Sequence, residues 1–415
     1  MISLDASSRH HRSRSWLDRV FTSRHAAPLA VVCAVVAGVA CGGAPAAGEP
    51  PAPSDAGTET ATDVAEPDWT LDSGRAETTP VADSAPEDVC PNTICGGACI
   101  DTATDPRNCG SCGHDCLGGA CSGGVCGSVV ISTAGTQVTA VQMDDSAVYW
   151  FESSGCIGCE RLMRAPRTGA TAPVVLASDL KSPTALTARG LDLYWTEPSE
   201  GTIRRVAKSG IFLMTVESGQ ASPRFLAFDG DERYWANYGS SKLTESIWRR
   251  PTSGSPIKLA TTSGPLVVDD GYVYWLETAV YPSDLGSIRR VSKSGTGETT
   301  LRTLKGSIRL SLKMLGPDLY WLVGDELFRM PKTGGTPAKV ESIGAARVMA
   351  LESDGIYVAD ATGVSRVPLG GGPAVKLLED PDLFSVGAVD AKAIAYVTHS
   401  GPSYAVGYSI KLRAK

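Results

Sequence analysis

The hydrophobic pattern in the C-terminal two-thirds of the chain repeats at intervals of about forty residues. Tyrosine is followed by tryptophan five times, and by valine twice more near the C-terminus. The seven pairs begin at Tyr149, Tyr194, Tyr234, Tyr274, Tyr320, Tyr357 and Tyr396. Their spacings of 45, 40, 40, 46, 37 and 39 residues match the length of a four-stranded β-propeller blade. Seven pairs therefore predict seven blades.

The segments around each pair predict the strands of a blade. An inner strand and its turn come before the pair, as in Ser182–Ala188 and Gly264–Gly271. A third strand of the type Ile203–Val206 follows it and ends in a hairpin signal, Lys208–Gly210. The strand that carries the pair, Leu193–Glu197, is apolar on both sides, which is typical of a strand covered by neighbours on both faces.

The ends of the repeat predict how the ring closes. The last unit has no clear outer strand after Tyr396, whereas an apolar segment, Val129–Thr133, precedes the first unit. Val130 lies 19 residues before Tyr149, and an outer-strand valine of the first unit lies 19 residues before the second tyrosine. The N-terminal strand is therefore predicted to complete the last blade and to cover both free edges.

The pentapeptide Leu193-Tyr-Trp-Thr-Glu197 resembles the Tyr-Trp-Thr-Asp motif of the propellers in low-density-lipoprotein-receptor-like proteins and their bacterial relatives. The resemblance covers residues 127–415 and implies an all-β propeller domain. At the last motif position the seven units read Glu152, Glu197, Asn237, Glu277, Val323, Asp360 and His399. That family usually has six blades, whereas this chain has seven signals, so binding residues are not carried over from it.

Residues 1–40 are predicted to form an export signal. Five arginines precede an apolar run, Ala26–Ala40, which is too short for a comfortable transmembrane helix. The segment Gly38–Gly43 resembles the bacterial lipoprotein box, although Gly38 stands where that box usually has leucine. The resemblance implies that Cys41 becomes a lipidated N-terminus at the bacterial outer membrane or cell surface. The alternative is ordinary cleavage near Ala40 or Ala46.

Residues 41–89 are predicted to be a disordered, acidic linker. The segment is rich in Ala, Pro and Thr, and residues 42–89 carry eleven acids and one base with Trp69 as the single aromatic side chain. Such a composition cannot bury enough surface to offset the entropy of the chain. The linker serves either as a stalk that lifts the following domains from a membrane or as a simple soluble connection.

Residues 90–126 are predicted to be a disulfide-rich module in which covalent links replace a core. Cys95–Cys116 resembles a small Cys-rich module that precedes other domains in bacterial surface lipoproteins. With Cys33 removed and Cys41 lipidated, ten cysteines remain, an even number that suits an oxidising compartment. We expect all ten in disulfides: Cys90, Cys95, Cys99, Cys109, Cys112, Cys116, Cys121, Cys126, Cys156 and Cys159. Eight cysteines allow 105 pairings, so the connectivity is open.

Three alternatives compete with purely structural disulfides. Cys109 and Cys112 together with His114 permit a zinc site. Asp101, Asp105 and Asn108 permit a calcium site, although their sequence context is also that of ordinary turns. The Cys156-Ile-Gly-Cys159 segment permits a redox pair, against a loop disulfide in the first blade.

Composition and charge exclude several functions. The 415 residues include 45 Gly and 26 Pro, which argues against a helical domain. Residues 127–415 carry 31 bases and 29 acids, so the electrostatic basis for binding nucleic acid is absent. Only His114 and His399 remain after export, and His399 stands at a repeat position, so no catalytic, cofactor or metal set is predicted.

These observations predict a monomeric, lipid-anchored binding protein outside the cytoplasm, with a protein or glycan as its ligand on a propeller face. The third-strand arginines could form a basic ring for an acidic glycan, or could instead pair with neighbouring acids. The alternative function is an enzyme with its site in the central tunnel, as in lactonases and lyases on related propellers.

Overall fold

The computed structural model describes residues 90–153, 155–239, 243–278, 285–343, 348–360, 362–400 and 407–415. The export signal, Cys41 and the linker lie outside these ranges. Every regular secondary-structure element within the described ranges is a β-strand, and the strands are numbered β1 to β32. None of the described residues belongs to a helix that is long and apolar enough to cross a membrane.

Two small hairpins joined by disulfides make up the N-terminal module. β1 (Thr93–Cys95) pairs with β2 (Ala98–Ile100), and β3 (Cys121–Ser122) pairs with β4 (Val125–Cys126). The disulfides are Cys90–Cys99, Cys95–Cys112, Cys109–Cys121 and Cys116–Cys126, and a fifth, Cys156–Cys159, lies in a propeller loop. Each link holds together a segment that has almost no apolar core of its own.

Seven four-stranded antiparallel sheets follow the module, which confirms the predicted seven-bladed propeller. We number the blades I to VII. Their first, innermost strands are β6 (Gln137–Met143), β10 (Thr184–Arg189), β14 (Pro223–Asp229), β18 (Leu266–Val268), β22 (Ile308–Leu315), β26 (Val348–Glu352) and β30 (Leu383–Val389). Each inner strand contacts the inner strands of both neighbouring blades, so they form a closed ring.

The aromatic pairs all lie in the second strands. These are β7 (Ala147–Ser153), β11 (Asp192–Glu197), β15 (Glu232–Asn237), β19 (Tyr272–Thr278), β23 (Asp318–Val323), β27 (Gly355–Asp360) and β31 (Ala393–Ser400). The third strands are β8 (Glu160–Pro166), β12 (Thr202–Ala207), β16 (Ser246–Arg250), β20 (Leu285–Ser292), β24 (Glu326–Pro331), β28 (Gly363–Val367) and β32 (Gly407–Ala414). Each recurring tyrosine lies opposite the arginine of the third strand, as Tyr149 lies opposite Arg164, except in blade VII, where Lys411 takes that place.

The outer strand of blade VII comes from the beginning of the domain, as the sequence predicts. The outer strands of blades I to VI are β9 (Val174–Leu180), β13 (Met214–Glu217), β17 (Ile257–Ala260), β21 (Thr299–Lys305), β25 (Ala338–Ser342) and β29 (Val375–Glu379). In blade VII this place is taken by β5 (Val129–Ala134), which pairs with β32. The outer edge of β32 is therefore covered, and blade VII has four strands like the others.

The aromatic pairs fill the interfaces between blades. In blade I the tyrosine faces the next blade and the tryptophan faces the preceding one, so Tyr149 and Trp195 share one buried cluster. Blade VII is the exception, because Tyr396 faces the preceding blade and shares a cluster with Tyr357. Such apolar clusters lie at six of the seven interfaces formed by the described residues, and the interface between blades II and III is the one where these residues form none.

Candidate functional site

A partly buried acid closes the turn between the first and second strands of blade I. Asp144 accepts hydrogen bonds from the backbone N–H groups of Ser146 and Ala147, at 2.9 and 3.0 Å, and from the Tyr149 hydroxyl at 2.9 Å. Asp269 holds the corresponding turn of blade IV with the same three kinds of bond. These turns and the hairpins between third and fourth strands lie at the same end of the propeller, which we call the hairpin face.

The charge of this acid is fixed by its neighbours. Burial alone would raise the pKa of Asp144, but hydrogen bonds from Lys208, Ser146 and Tyr149 hold that pKa well below its usual range. Burial and the adjacent carboxylate together raise the pKa of Tyr149 to about 12. The carboxylate is therefore ionised and the phenol protonated throughout the physiological range.

Such acids also link neighbouring blades. At five of the seven junctions formed by the described residues, the turn acid of one blade pairs with a cation near the end of the third strand of the next. The pairs are Asp144–Lys208, Asp229–Lys293, Asp269–Lys332, Asp354–Lys415 and, across the closure of the ring, Asp390–Arg167. A carboxylate supplied by the chain itself thus occupies each of these five junctions.

The junction between blades V and VI lacks the ion pair and is closed by apolar contact. Leu315 and Leu369 take the places of the acid and the cation, and both pack against the cluster that contains Tyr320. Arg329 of blade V donates a hydrogen bond of 3.2 Å to the Leu369 carbonyl. Here two leucines replace two opposite charges, and the junction stays filled.

The junction between blades II and III is different because neither replacement fills it. Arg189 occupies the position that Asp144 has in blade I, and Thr252 occupies the position that Lys208 has in blade II. A cation thus stands where five of the other junctions have an anion, and its expected partner is a short neutral side chain. A cavity of about 1060 Å³ opens at this place on the hairpin face.

The walls of this cavity are predominantly basic. Its charged and aromatic lining residues are Arg189, Arg205, Arg233, Arg250, Asp192, Asp231, Tyr194 and Phe228. The volume is at the upper end of the range of small-molecule and peptide-segment pockets. We refer to this space, lined by these eight residues, as the arginine cavity.

Three of the four arginines have acidic partners. Arg205 pairs with Asp192 at 3.2 Å. Arg233 and Arg250 both donate to Glu217, which is buried in β13.

Arg189 is the exception. Its guanidinium lies 5.5 Å from the centre of the Phe228 ring, and it takes part in none of the ion pairs formed by the described residues. One guanidinium in the cavity therefore faces an aromatic ring and has no carboxylate partner.

The tyrosine of this junction also lacks the partner that its counterparts have. In four other blades the recurring tyrosine donates its hydroxyl proton to a carboxylate. These pairs are Tyr149–Asp144, Tyr234–Glu232, Tyr274–Asp269 and Tyr357–Asp354. Tyr194 instead lies opposite Arg205 of the third strand, and its proximity raises the pKa of that guanidinium. Within the described part of the chain the Tyr194 hydroxyl makes no hydrogen bond to a carboxylate.

Exposed apolar side chains lie beside the arginine cavity on blade II. Leu191, which also lines the cavity, is 84% exposed, and the hairpin residues Ile211–Met214 are each more than 40% exposed, with Phe212 at 71%. A hydrogen bond of 2.8 Å from the Lys208 N–H to the Leu191 carbonyl holds the turn against the hairpin. Phe212 has a φ of 59°, a conformation that is unfavourable for a bulky residue. A run of exposed apolar residues of this kind is typical of an interaction surface.

The disulfide module is attached to the same face at blades VI and VII. Cys126 packs with Ala414 in a small cluster, and the Tyr396 hydroxyl is hydrogen-bonded to Ser128 at 2.7 Å. His114 and Asp354 line a second cavity, of about 260 Å³, between the module and these blades. The module therefore covers one part of the hairpin face, whereas the apolar patch and the arginine cavity lie on blades II and III.

The acids at the last motif position lie at the opposite face and are engaged within their own blades. The bonds are Glu152 with Trp150 and Arg161, Glu197 with Trp195 and Arg204, and Glu277 with Arg289. His399, at the same repeat position, is exposed and packs against Phe384 and Tyr408. The three glutamates thus link the second and third strands of their own blades.

The residues proposed as zinc or calcium ligands in the module take part in turns and disulfides. Asp101 accepts hydrogen bonds from Ala103 and Thr104 within its own turn, and Asp105 caps the next turn. The sulfurs of Cys109 and Cys112 belong to two different disulfides, so they are not available as thiolate ligands beside His114. The clustered sulfurs of Cys109, Cys116 and Cys126 are likewise all oxidised.

The sequence interpretation missed the arginine cavity. Alignment of the units on their tyrosines would have revealed Arg189 at a position that is aspartate in blades I, III and IV, and alignment on the third-strand arginines would have revealed Thr252 at a position that is lysine in blades II, IV and V. The same two alignments show Leu315 and Leu369 at junction V–VI.

No protein-family model matches the chain, and no curated protein is significantly similar in sequence. Solved structures are similar in fold. The S511A mutant of a puromycin hydrolase has a TM-score of 0.52 at 13% identity, over 67% of this chain and 53% of that one. The AfRom2 CNH domain has 0.47 at 10% identity, over 69% and 98%, and a nidogen/laminin complex has 0.42 at 18% identity, over 54% and 89%. At these identities the likeness shows the propeller fold alone.

Proposed function

We propose that the chain is an exported, membrane-anchored binding protein that captures a protein partner on the hairpin face of its propeller. The observation that carries the proposal is the exposed apolar patch, Leu191 with Ile211–Met214, beside the arginine cavity. Apolar anchors next to arginines are the usual composition of a protein-binding hot spot. The five disulfides indicate an oxidising, extracytoplasmic compartment, where such a surface meets other exported proteins.

A protein ligand suits the face better than a glycan does. The recurring arginines are largely occupied at the blade junctions, where Arg249 and Arg290 donate to backbone carbonyls of the next blade. They therefore do not form a free basic ring. The apolar side chains of the patch would gain little from a polysaccharide but would lose water on contact with a protein.

The anchor in this proposal is a lipid on Cys41, which would hold the propeller at the outer membrane or the cell surface. Mass spectrometry of the mature N-terminus tests it: we expect an acylated Cys41, and an unmodified peptide that begins elsewhere would overturn the anchor. Loss of the anchor would leave the binding face as it is.

Site-specific photo-crosslinking tests the binding face. A benzophenone amino acid is placed at Phe212 on the hairpin face and, as the matched control, at Tyr238 on the opposite face. We expect a defined product with an extracytoplasmic protein from position 212 alone. The purified partner should then bind wild-type protein and bind at least tenfold more weakly to the Leu191→Ser/Phe212→Ser variant. Equal products from both positions, or unchanged affinity of the variant, would contradict the proposal.

A further inference from the structure

We infer that the arginine cavity binds a carboxylate of a peptide chain, which takes the place of the turn acid that junction II–III lacks. The inference rests on the proposed function and names the chemistry of the group that the face recognises. It follows from a comparison of this junction with the other six in the same molecule.

The complete junctions contain a carboxylate held by side chains of two neighbouring blades. At junction I–II, the Asp144 carboxylate accepts a hydrogen bond from the Tyr149 hydroxyl and forms an ion pair with Lys208 at 2.7 Å. The same arrangement recurs at junction IV–V with Asp269, Tyr274 and Lys332, and at junction VI–VII with Asp354, Tyr357 and Lys415. A carboxylate that bridges a tyrosine and a cation thus recurs at three junctions of this face.

Junction II–III retains hydrogen-bond donors around the position of the missing acid. The donors are present: the Tyr194 hydroxyl, the Arg205 guanidinium and, from the acid's own position, Arg189. The turn acid is missing, and the space that its side chain would fill is open to solvent. An external carboxylate that enters there meets the Tyr194 hydroxyl and the Arg189 guanidinium, which has no acidic partner among the described residues, next to Arg205, which stays paired with Asp192. Arginine binds carboxylates in a planar, bidentate manner.

The apolar residues at the cavity indicate which kind of carboxylate fits it. Junction V–VI shows that the repeat tolerates loss of the ion pair when Leu315 and Leu369 fill the space, so an unfilled junction is not required by the fold. Phe228 forms part of the cavity wall, and Leu191 lies at its rim. A carboxylate next to an apolar side chain matches both features, as in an aspartate, glutamate or C-terminus flanked by leucine or phenylalanine.

N-acetylphenylalanine is a suitable probe because it carries one carboxylate beside one aromatic ring, and its amide is the matched neutral control. Ligand-observed NMR titrations with purified full-length protein, disulfides intact, should give a dissociation constant in roughly the millimolar range, as expected for a ligand of this size. The amide should bind at least tenfold more weakly. Equal binding of acid and amide would overturn the inference.

The decisive variant supplies the junction with its own ion pair. Arg189→Asp together with Thr252→Lys copies the pairs of the other junctions, and we expect it to fold and to lose at least tenfold in affinity for N-acetylphenylalanine. Arg189→Met, which removes one charge without adding another, should weaken binding severalfold. Lys332→Thr opens the ion pair at junction IV–V and should leave the affinity unchanged. Retained binding in the Arg189→Asp/Thr252→Lys variant would overturn the inference.

A further arm separates a peptide carboxylate from an inorganic anion. Sulfate should compete with N-acetylphenylalanine only weakly, and tighter binding of sulfate would contradict a peptide site. If the carboxylate does not bind although position 212 still crosslinks to a protein, the cavity chemistry fails and the proposed function stands. If the carboxylate binds although position 212 gives no product, the proposed function fails and the cavity remains an anion site.

Discussion

Replacement of Glu217 by glutamine tests how the blade II–III interface is held together. This interface has no apolar cluster among the described residues, and the buried Glu217 of blade II accepts hydrogen bonds from two arginines of blade III. Arg233 donates at 3.0 Å, and Arg250 donates twice, at 2.8 and 2.6 Å. We therefore expect Glu217 to contribute more stability than any single ion pair on the surface.

The magnitude follows from the burial of the three groups. Removal of one charge from a fully buried ion pair costs about 3–5 kcal/mol. The Glu217 side chain is 3% exposed, but those of Arg233 and Arg250 are 20% and 26% exposed, so water can partly solvate the unpaired guanidinium groups. We expect Glu217→Gln to lower the free energy of unfolding by about 2–3 kcal/mol, and the midpoint of thermal unfolding by roughly 3–5 °C for a domain of this size.

Circular dichroism melts at neutral pH, with the disulfides oxidised, measure the effect. The matched control is Glu326→Gln, which removes the ion pair with Lys339, where both side chains are 47% exposed. That variant should stay within about 0.5 kcal/mol of wild type. If Glu217→Gln is no less stable than Glu326→Gln, the ion pairs of Glu217 with Arg233 and Arg250 do not stabilise this interface and the reasoning is refuted.

Three further predictions concern other parts of the propeller. Burial acts to raise the pKa of Asp269, but hydrogen bonds from Lys332, the turn backbone and Tyr274 hold that pKa below its usual range, so the stabilisation is present above about pH 4 and is lost as the pH falls through the lowered pKa. Asp269→Asn should be about 1 kcal/mol less stable than wild type at pH 7, and this difference should shrink as the pH is lowered below about 4 in denaturant titrations, whereas a pH-independent difference would contradict the reasoning. The Trp150 indole N–H donates to a buried glutamate, whereas the buried indole N–H of Trp321 has no hydrogen-bond partner among the described residues, so Trp150→Phe should cost about 1–2 kcal/mol more than Trp321→Phe, and equal costs in urea titrations would contradict this. Deletion of β5, Val129–Ala134, should expose the edge of β32 and produce aggregates in size-exclusion chromatography, whereas a stable monomer would argue against its role in closure.

The repeat and its closure could be predicted because both depend on local patterns. A tyrosine and a tryptophan next to each other must face opposite sides of a strand, and only a strand covered on both sides can bury both. The extra strand at Val129 and the missing one after Tyr396 then leave one way to close the ring. The structure confirms the seven blades and this closure.

The candidate site could not be predicted in the same way because it depends on what is missing at one junction. Arg189 and Thr252 are ordinary turn residues when each is considered alone, and their meaning appears only when adjacent blades bring the two positions together. The apolar run Ile211–Met214 is compatible in sequence with a buried strand, and its exposure depends on the fold. The disulfide pairings likewise required the three-dimensional arrangement.

The affinity of the crosslinked partner for two forms of the protein tests most directly whether the open junction is the recognition site. Calorimetric titration of this partner into wild type and into the Arg189→Asp/Thr252→Lys variant compares a junction that lacks its carboxylate with one that carries it. We predict at least a tenfold loss of affinity in the variant together with an unfolding temperature equal to or above that of wild type. An unchanged affinity in a folded variant would contradict recognition through this junction.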